Sequence, residues 1–319
     1  EGPEQHTASA SVRKVLTTEV DGTVHVARAG TVAVGSGEVI AHDVVVLDRV
    51  EGNIDSGGEG ELAGPHAAGQ DDVVGEDVDE TGLIWDTGDG DLRAWPVPGS
   101  LVAQHGTQPA RGELLLSQYH LDGTPMLSDP RHALRGQIDA MAALGLHPVA
   151  ALELEFFLLD PERDSEGHVQ PARDVLDGRR SRKTEVYSVD HLIGMQPLFT
   201  DIYAGAALAG ITVETLISEY APGQYELTLH HRSDIMQAAD DLVRLKRIVR
   251  AQARRHGVVA CFMAKPLAEY AGSGMHLHIS LCNDEGHNML AEEPDQGWND
   301  MLRHAIGGQL ATMAESMLV

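Results

Sequence analysis

The sequence predicts an α+β fold with a mostly antiparallel sheet, divided between a small β-rich N-terminal domain and a larger α+β domain. Three observations indicate this fold. Residues 1–98 are rich in Gly, Val, Asp and Thr and contain few helix signals. After residue 99, β-like runs alternate with amphipathic helical stretches. Hairpin-like turns between the later strands favour antiparallel over parallel pairing.

The N-terminal domain is predicted to consist of short strands joined by turns. Its β-like runs are separated by Gly-containing turns and lie at residues 23–27, 31–34 and 44–47. Residues 51–69 are rich in Gly and Glu and nearly free of apolar residues, which predicts a loop. Two prolines and a glycine at 96–99 stiffen the chain, so we place the domain boundary between residues 1–98 and 99–319.

The larger domain is predicted to begin with a strand and a helix. A β-like run at residues 113–119 ends in a turn, and Asp129 followed by Pro130 then predicts a capped helix start. Gly145 is expected to end this helix. The apolar stripe of the helix consists of Leu134, Ile138 and Met141.

The strand predicted for residues 150–159 is the most informative segment, because successive side chains of a strand point to opposite faces. One face carries Leu152, Leu154, Phe156 and Leu158. Glu153 and Glu155 share the other face, ~7 Å apart along the strand. Two such carboxylates lose hydration and repel each other unless a cation lies nearby or a pKa is strongly raised. The alternative interpretation is a face that meets solvent or basic side chains.

The later elements complete the predicted alternation of strand and helix. Ser188 is predicted to cap a helix that runs to residue 208 and is kinked or interrupted by Pro197. Ser233 is predicted to cap a long helix that Gly257 ends. The other strands are expected at residues 211–217, around residue 226, at 258–263 and at 275–281, and the last helix at about 299–318.

Charge and composition argue against several classes of function. The chain has 319 residues and a formal net charge of −26, which disfavours nucleic acid and anionic lipid as partners. It has no run of about 18 uncharged apolar residues and no signal peptide at its start, so a cytoplasmic protein without membrane spans is predicted. Cys261 and Cys282 match no disulfide or zinc pattern and are expected to be buried thiols.

Three segments combine polar groups with an apolar strand pattern. They are the strand with Glu153 and Glu155, the turn-containing stretch from Glu219 to Glu226, and a strand whose polar face carries His276, His278 and Ser280. Each alone is commonly a solvated face, and an isolated His-x-His is more often no ligand. Together, four carboxylates and imidazole on separate β segments predict a hard-cation site that suits Mg²⁺ or Mn²⁺ better than structural zinc.

Four motifs occur in a specific order. They are Glu153-Leu-Glu155-Phe156, Glu219-x-Ala-Pro-Gly-Gln-x-Glu226, Met263-Ala-Lys-Pro266 and Gly272-Ser-Gly-Met-His276-Leu-His278-Ile-Ser280. In this order and spacing they resemble the glutamine synthetase family, and the similarity extends from about residue 75 to residue 319. The Met-Ala-Lys-Pro motif resembles the one in the branch of the family that joins glutamate to amines other than ammonia, such as polyamines.

The resemblance implies a fold, a reaction and an assembly. The fold would be a β-grasp N-terminal domain and a catalytic domain whose curved antiparallel sheet is backed by helices. The reaction would be an ATP-dependent ligation, in which the γ-carboxylate of glutamate attacks the γ-phosphoryl group of ATP and an amine then displaces phosphate. The assembly would be a homo-oligomer, a dodecamer of two hexameric rings.

The resemblance also implies which residues bind metal. One divalent ion, Mg²⁺ or Mn²⁺, would be held by Glu155, Glu219 and Glu226. A second ion would be held by Glu153 and His276. Both ions would lie between ATP and glutamate and offset the charge of the triphosphate.

Other positions match residues of the family that contact the small-molecule substrates. Glu214, His278 and Ser280 match positions that contact ATP or its phosphates. Gly272 matches a position whose backbone contacts glutamate. Asp72 is the candidate for the acidic residue that takes a proton from the amine.

Two features of the chain leave alternatives open. Ala271 stands where many ammonia-using members carry an Asn, which favours an amine ligase over glutamine synthetase proper. The chain ends at Val319 without the arginines, the further metal-binding Glu and the flap that the resemblance implies, so the sequence is expected to be C-terminally truncated and inactive as written. The alternatives are glutamine synthetase using ammonia, a catalytically silent relative that binds nucleotide or glutamate, and a metal-dependent hydrolase.

Overall fold

The structure is a computed structural model that describes residues 15–20, 23–28, 44–49, 92–108, 110–291 and 297–316. The chain forms two compact units, Glu1–Ala133 and Leu134–Val319. The predicted domain boundary between residues 98 and 99 stays a prediction. The expected strand at 31–34, the expected loop at 51–69 and Asp72 lie outside the described residues, and the β-grasp topology likewise stays a prediction.

The first unit contains a six-stranded antiparallel sheet in the part of the chain that the structure describes. Its strands are β1 (Val15–Val20), β2 (Thr23–Arg28), β3 (Val44–Arg49), β4 (Arg93–Pro96), β5 (Val102–Ala103) and β6 (Arg111–Tyr119). The strand order is β1-β2-β3-β6-β4, and β5 also pairs with β6. The predictions for β2, β3 and β6 are confirmed, whereas β1, β4 and β5 were not predicted.

Helix α1 (Pro130–Ala142) begins and ends as predicted. Asp129 Oδ1 accepts a hydrogen bond from the backbone N–H of Arg131 at 2.8 Å, which caps the first turn. After the helix, Gly145 adopts a φ of 69°, and the N–H of Leu146 donates to the carbonyl of Met141 at 3.0 Å. A left-handed glycine with this hydrogen bond is the usual helix end.

The second unit is built on a five-stranded antiparallel sheet. Its strands are β7 (His147–Leu159), β8 (Val213–Ser218), β9 (Gln224–Leu229), β10 (Val259–Cys261) and β11 (Leu277–Cys282). The order is β10-β7-β9-β8, with β11 also paired with β7. Strand β7 therefore pairs with three others, which confirms the mostly antiparallel sheet and makes β7 the centre of the unit.

Four helices follow β7 within the described residues. They are α2 (Val189–Gly194), α3 (Gln196–Leu208), α4 (Ile235–Arg255) and α5 (Asp300–Ser316). The single helix predicted up to residue 208 is interrupted as expected, because Pro197 occupies the first turn of α3. The predicted cap of α4 at Ser233 is wrong by one residue. Asp234 is the cap, since its Oδ1 accepts a hydrogen bond from the N–H of Gln237 at 3.1 Å.

The apolar face of β7 forms the core of the second unit together with β9, α3 and α4. The fully buried members of this core include Phe156, Leu158, Leu198, Leu227 and Leu245. The predicted apolar face of the strand is thus confirmed. Cys261 and Cys282 are free thiols as expected, but they are half-buried rather than buried. No helix in the described ranges is long and apolar enough to cross a membrane.

Candidate metal centre

Strands β7 and β9 place two glutamates directly opposite each other. Glu155 pairs with Glu226 in the antiparallel register, and Glu153 pairs with Thr228. Residues that face each other across an antiparallel pair point to the same side of the sheet. Since like charges directly opposite each other destabilise a sheet, this face is suited to a bound cation.

The start of β11 brings two imidazoles to Glu153. Nδ1 of His276 lies 2.7 Å from Glu153 Oε2, and Nε2 of His278 lies 2.7 Å from Oε1. The backbone N–H of Glu153 also donates to the carbonyl of His276 at 3.0 Å, which holds the two segments in register. Both carboxylate oxygens of Glu153 are therefore in contact with a histidine.

These contacts change the acidity of both partners. Burial alone would raise the pKa of Glu153, but the hydrogen bonds from His278 and His276 outweigh burial and lower the pKa below its ordinary value. The hydrogen bond to Glu153 raises the pKa of His276. Without a metal ion, the pair therefore favours an ionised carboxylate beside a protonated imidazole.

Glu155 is held by neutral donors rather than by histidines. Its Oε2 accepts a hydrogen bond from the backbone N–H of Gly274 at 2.9 Å and another from Nε2 of Gln224 at 3.2 Å. A Cβ at Gly274 would lie 3.1 Å from the other oxygen, Oε1, so the glycine leaves room for this carboxylate. The loop before β11 thus contacts Glu155 through the backbone of Gly274 and Glu153 through the side chain of His276.

Glu226 is the most buried carboxylate of the site, with 8% of the residue exposed. Burial, together with repulsion from Glu153, Glu219 and Glu155, raises its pKa above the ordinary value. Thr228 Oγ1 donates a hydrogen bond to Glu226 Oε1 at 3.3 Å, which offsets only part of this effect. A divalent cation would favour the charged form of Glu226 and relieve the repulsion.

Glu153, Glu226 and His276 form a cluster of potential metal ligands. Each offers one ligand atom, and these atoms lie within 4.8 Å of one another. Two carboxylate oxygens and one imidazole nitrogen suit Mg²⁺ or Mn²⁺ and match no thiolate-rich zinc site. The residues present therefore fit the divalent metal that the sequence motifs imply.

The other predicted metal ligand, Glu219, lies at the edge of this cluster. Its charge contributes to the raised pKa of Glu226, and its Oε2 accepts a hydrogen bond from the N–H of Tyr220 at 3.1 Å. The structure thus places Glu155 and Glu219 next to the cluster of Glu153, Glu226 and His276. Their predicted division between two ions stays a prediction.

The residues predicted to contact ATP are more dispersed. His278 contacts Glu153, whereas Glu214 lies on β8, where its Oε2 is 3.6 Å from Nδ1 of His230. Ser280 Oγ lies on β11, 3.5 Å from Nδ2 of Asn288. Their predicted roles toward ATP stay predictions, and the candidate proton acceptor Asp72 lies outside the described residues.

Gly272, predicted to contact glutamate, also has a structural reason to be glycine. A Cβ at this position would lie 2.6 Å from the carbonyl oxygen of Ala264, which is backbone and has little freedom to move. The next residue, Ser273, donates its N–H to the same carbonyl at 2.7 Å. The loop therefore runs closely against the segment that contains Ala264, as glycine permits.

Sequence reasoning assigned no role to Gln224, which the structure places inside the site. This residue is 1% exposed, and it contacts both Glu155 and the carbonyl of Gly272. The two-residue period of a strand could have indicated this position of Gln224. Gln224 lies two residues before Glu226 and therefore on the same face of β9.

A protein-family model matches the part of the chain that carries this site. Residues 127–319 match the family model described as the catalytic domain of glutamine synthetase. All five predicted metal-binding residues lie inside the matched segment, which comprises more than half of the chain.

Comparison with curated and solved proteins identifies similar chains. Gamma-glutamylputrescine synthetase of Escherichia coli is 38% identical over 246 residues, which cover 77% of this chain and 52% of that protein. Glutamate–isopropylamine ligase of a Pseudomonas species is 32% identical over 213 residues, which cover 67% of this chain and 45% of that protein. A solved GmaS–ADP complex is 28% identical with a TM-score of 0.60, covering 70% of this chain and 50% of that one. The chain thus spans about half the length of the curated relatives it matches.

Proposed function

This chain belongs to the glutamine synthetase family, and on that basis we propose that it forms part of an ATP-dependent ligase that joins glutamate to an amine. The observation that carries the proposal is the meeting of Glu153, Glu226 and His276 at one place on the sheet. Phosphoryl transfer to a carboxylate brings several negative charges together, and a cluster of carboxylates that binds divalent cations serves such chemistry.

The amine substrate is proposed to be a polyamine or another organic amine rather than ammonia. Two similar proteins are named for the ligation of glutamate or a glutamyl group to putrescine and isopropylamine. Ala271 supports the same choice, because it replaces an Asn typical of the ammonia-using members of the family. The competing candidate, glutamine synthetase proper, would use ammonia at the same site.

Two divalent ions, Mg²⁺ or Mn²⁺, are proposed to bind here, one at Glu155, Glu219 and Glu226 and the other at Glu153 and His276. When bound, they would offset the negative charge of the ATP phosphates during phosphoryl transfer. The chain itself orients the ligands. Donors from Gln224 and Gly274 hold the carboxylate of Glu155, and two imidazoles hold that of Glu153.

The proposed reaction has two steps. A γ-carboxylate oxygen of glutamate attacks the γ-phosphorus of ATP, the bond to the bridging oxygen breaks, and ADP leaves with γ-glutamyl phosphate remaining. The amine nitrogen then attacks the acyl carbon, inorganic phosphate leaves, and the nitrogen loses one proton. Asp72 is the proposed proton acceptor, Glu214, His278 and Ser280 are proposed to contact ATP, and the backbone of Gly272 is proposed to contact glutamate.

Phosphate release by the full-length protein tests this proposal. With glutamate, ATP and Mg²⁺, we expect putrescine or another organic amine to stimulate release more than ammonia does. Stronger stimulation by ammonia would identify a glutamine synthetase proper. If no amine stimulates release while ATP still binds in a Mg²⁺-dependent manner, the catalytically silent relative is the better description and the ligase proposal is lost.

The proposed assembly is a homo-oligomer, a dodecamer of two hexameric rings. This proposal follows from the family to which the chain belongs. Measurement of the mass in solution by light scattering tests it, and a monomeric mass at micromolar concentration would contradict it.

A further inference from the structure

We propose that Gln224 is a positioning residue that holds the Glu155 carboxylate and the loop of residues 272–274 in a fixed relation to each other. Through Glu155 it would set the affinity of one of the two metal ions. This inference rests on the proposed function, because it assigns Gln224 a role toward the metal centre of the ligase.

The contacts of the Gln224 side chain define a single orientation of its amide. Nε2 donates to Glu155 Oε2 at 3.2 Å and to the carbonyl of Gly272 at 2.9 Å. At the other end, Oε1 accepts a hydrogen bond from the N–H of Ala221 at 3.2 Å. A reversed amide would place its oxygen against two acceptors and its NH₂ group against a donor, so these partners decide the orientation.

The contact with Glu155 fixes one oxygen of its carboxylate. Gln224 and the N–H of Gly274 both donate to Oε2, so both hydrogen bonds converge on one oxygen. This would leave Oε1 as the oxygen available to a metal ion. Groups that hydrogen-bond a metal ligand orient it and contribute to metal affinity without touching the ion.

The contact with Gly272 extends the effect to the neighbouring loop. Three successive residues of this loop are held by hydrogen bonds: Gly272 by Gln224, Ser273 by Ala264 and Gly274 by Glu155. The same loop continues to the imidazole of His276, which contacts Glu153. Gln224 is the side chain that contacts both Glu155 and the loop, and it is 1% exposed, so water does not replace its hydrogen bonds easily.

The test compares Mn²⁺ binding by the full-length wild-type protein and by its Gln224→Glu variant, measured as the free Mn²⁺ signal in electron paramagnetic resonance. The substitution keeps the shape of the side chain but places an oxygen against Glu155 Oε2 and the Gly272 carbonyl. We expect the affinity for one ion to fall by about 10–100-fold, and the affinity for the other by less than about threefold. Glu155→Ala, measured in parallel, identifies the affected ion.

A double-mutant cycle separates positioning from general destabilisation. If Gln224 acts through Glu155, adding Gln224→Glu to the Glu155→Ala variant changes Mn²⁺ binding by less than about twofold. The matched control is Gln252→Glu. Gln252 is a second buried glutamine, 2% exposed on α4, and its Oε1 accepts from Nη1 of Arg255. We expect Gln252→Glu to keep wild-type affinity for both ions.

The outcomes are distinguishable. If Gln224→Glu does not fold, as judged by circular dichroism, Gln224→Met removes the donors without adding charge and is expected to weaken the same ion. Wild-type affinity in a folded variant, equal weakening of both ions, or effects that add to those of Glu155→Ala would each overturn the role of Gln224. If the full-length wild-type protein itself binds no Mn²⁺, the proposed metal centre fails and this inference fails with it.

Discussion

The two faces of β7 differ in what they contribute to the protein. One face carries Leu154, Phe156 and Leu158, which are 5%, 0% and 0% exposed and pack into the main core. The other face carries Glu153 and Glu155, which stand beside a third carboxylate on β9. Apolar burial on the first face favours folding, whereas like charges on the second oppose it. The apolar core thus supports a charged surface that does not stabilise the fold by itself.

The largest expected effect is that of Phe156→Ala. The ring is completely buried and lies near Tyr225 and Phe262, with ring centroids 6.2 and 5.7 Å away. Its removal leaves a cavity and should lower the free energy of unfolding by about 3–5 kcal/mol in urea titrations. The Mn²⁺ affinity of the folded variant should stay within about threefold of wild type. A large loss of Mn²⁺ affinity without a loss of stability would show that the apolar face acts on the metal site rather than on folding.

Glu153→Ala is the converse experiment. We expect Mn²⁺ affinity to fall by on the order of 100-fold. The loss is larger than for Gln224→Glu because Glu153 is a proposed metal ligand, whereas Gln224 only hydrogen-bonds one. The free energy of unfolding without metal should change by less than about 1 kcal/mol, since exposed ion pairs contribute little and the His276 and His278 side chains are 64% and 62% exposed. The exposed Glu162→Ala serves as control. Retained Mn²⁺ binding would make these carboxylates merely structural.

The next effect concerns pH. The hydrogen bond to Glu153 raises the pKa of His276, so a metal ion must displace a proton as the pH falls through that value. Mn²⁺ affinity should therefore decrease on acidification by about tenfold per pH unit for one displaced proton. Without metal the sign is opposite, because the stabilising contribution of a protonated His276 is present at low pH and is lost as the pH rises through its raised pKa.

His276→Gln sharpens this test. The variant cannot be protonated in this range, so the titration of Mn²⁺ affinity against pH should become flatter. His168→Gln, on an exposed loop with its Nδ1 3.4 Å from Asp164, is the matched control and should retain the wild-type slope. An unchanged slope in His276→Gln would show that the metal ion displaces a proton from another group.

The smallest expected effect is that of Glu226→Gln on stability without metal. Burial and repulsion raise the pKa of Glu226, so its charged form destabilises the folded state as the pH rises above the ordinary value of a glutamate. Removing the charge should raise the free energy of unfolding at pH 7 by about 0.2–1 kcal/mol. The gain should vanish in acid, where Glu226 is protonated. A loss of stability at pH 7 would contradict the view that this face opposes folding.

Much of this site was predictable because the strand period is local. Alternation along β7 separated Leu152, Leu154 and Leu158 from Glu153 and Glu155, and the structure confirms this division. Errors arose where neighbouring residues competed for one role. Ser233 and Asp234 are both good helix caps by type, and only the backbone geometry shows that Asp234 reaches the N–H of Gln237. Strands as short as β5 carry too little alternation to be recognised.

The sequence by itself determined the two-faced character of β7, the helices and the motifs that identify the family, because these follow from local periods and fixed spacings. Only the tertiary structure decided that Glu226 lies directly opposite Glu155, that His278 joins His276 on Glu153, and that Gln224 is buried between two segments. These relations depend on the pairing and register of strands distant in the chain. Register is set by the packing of the whole sheet, which no local pattern encodes.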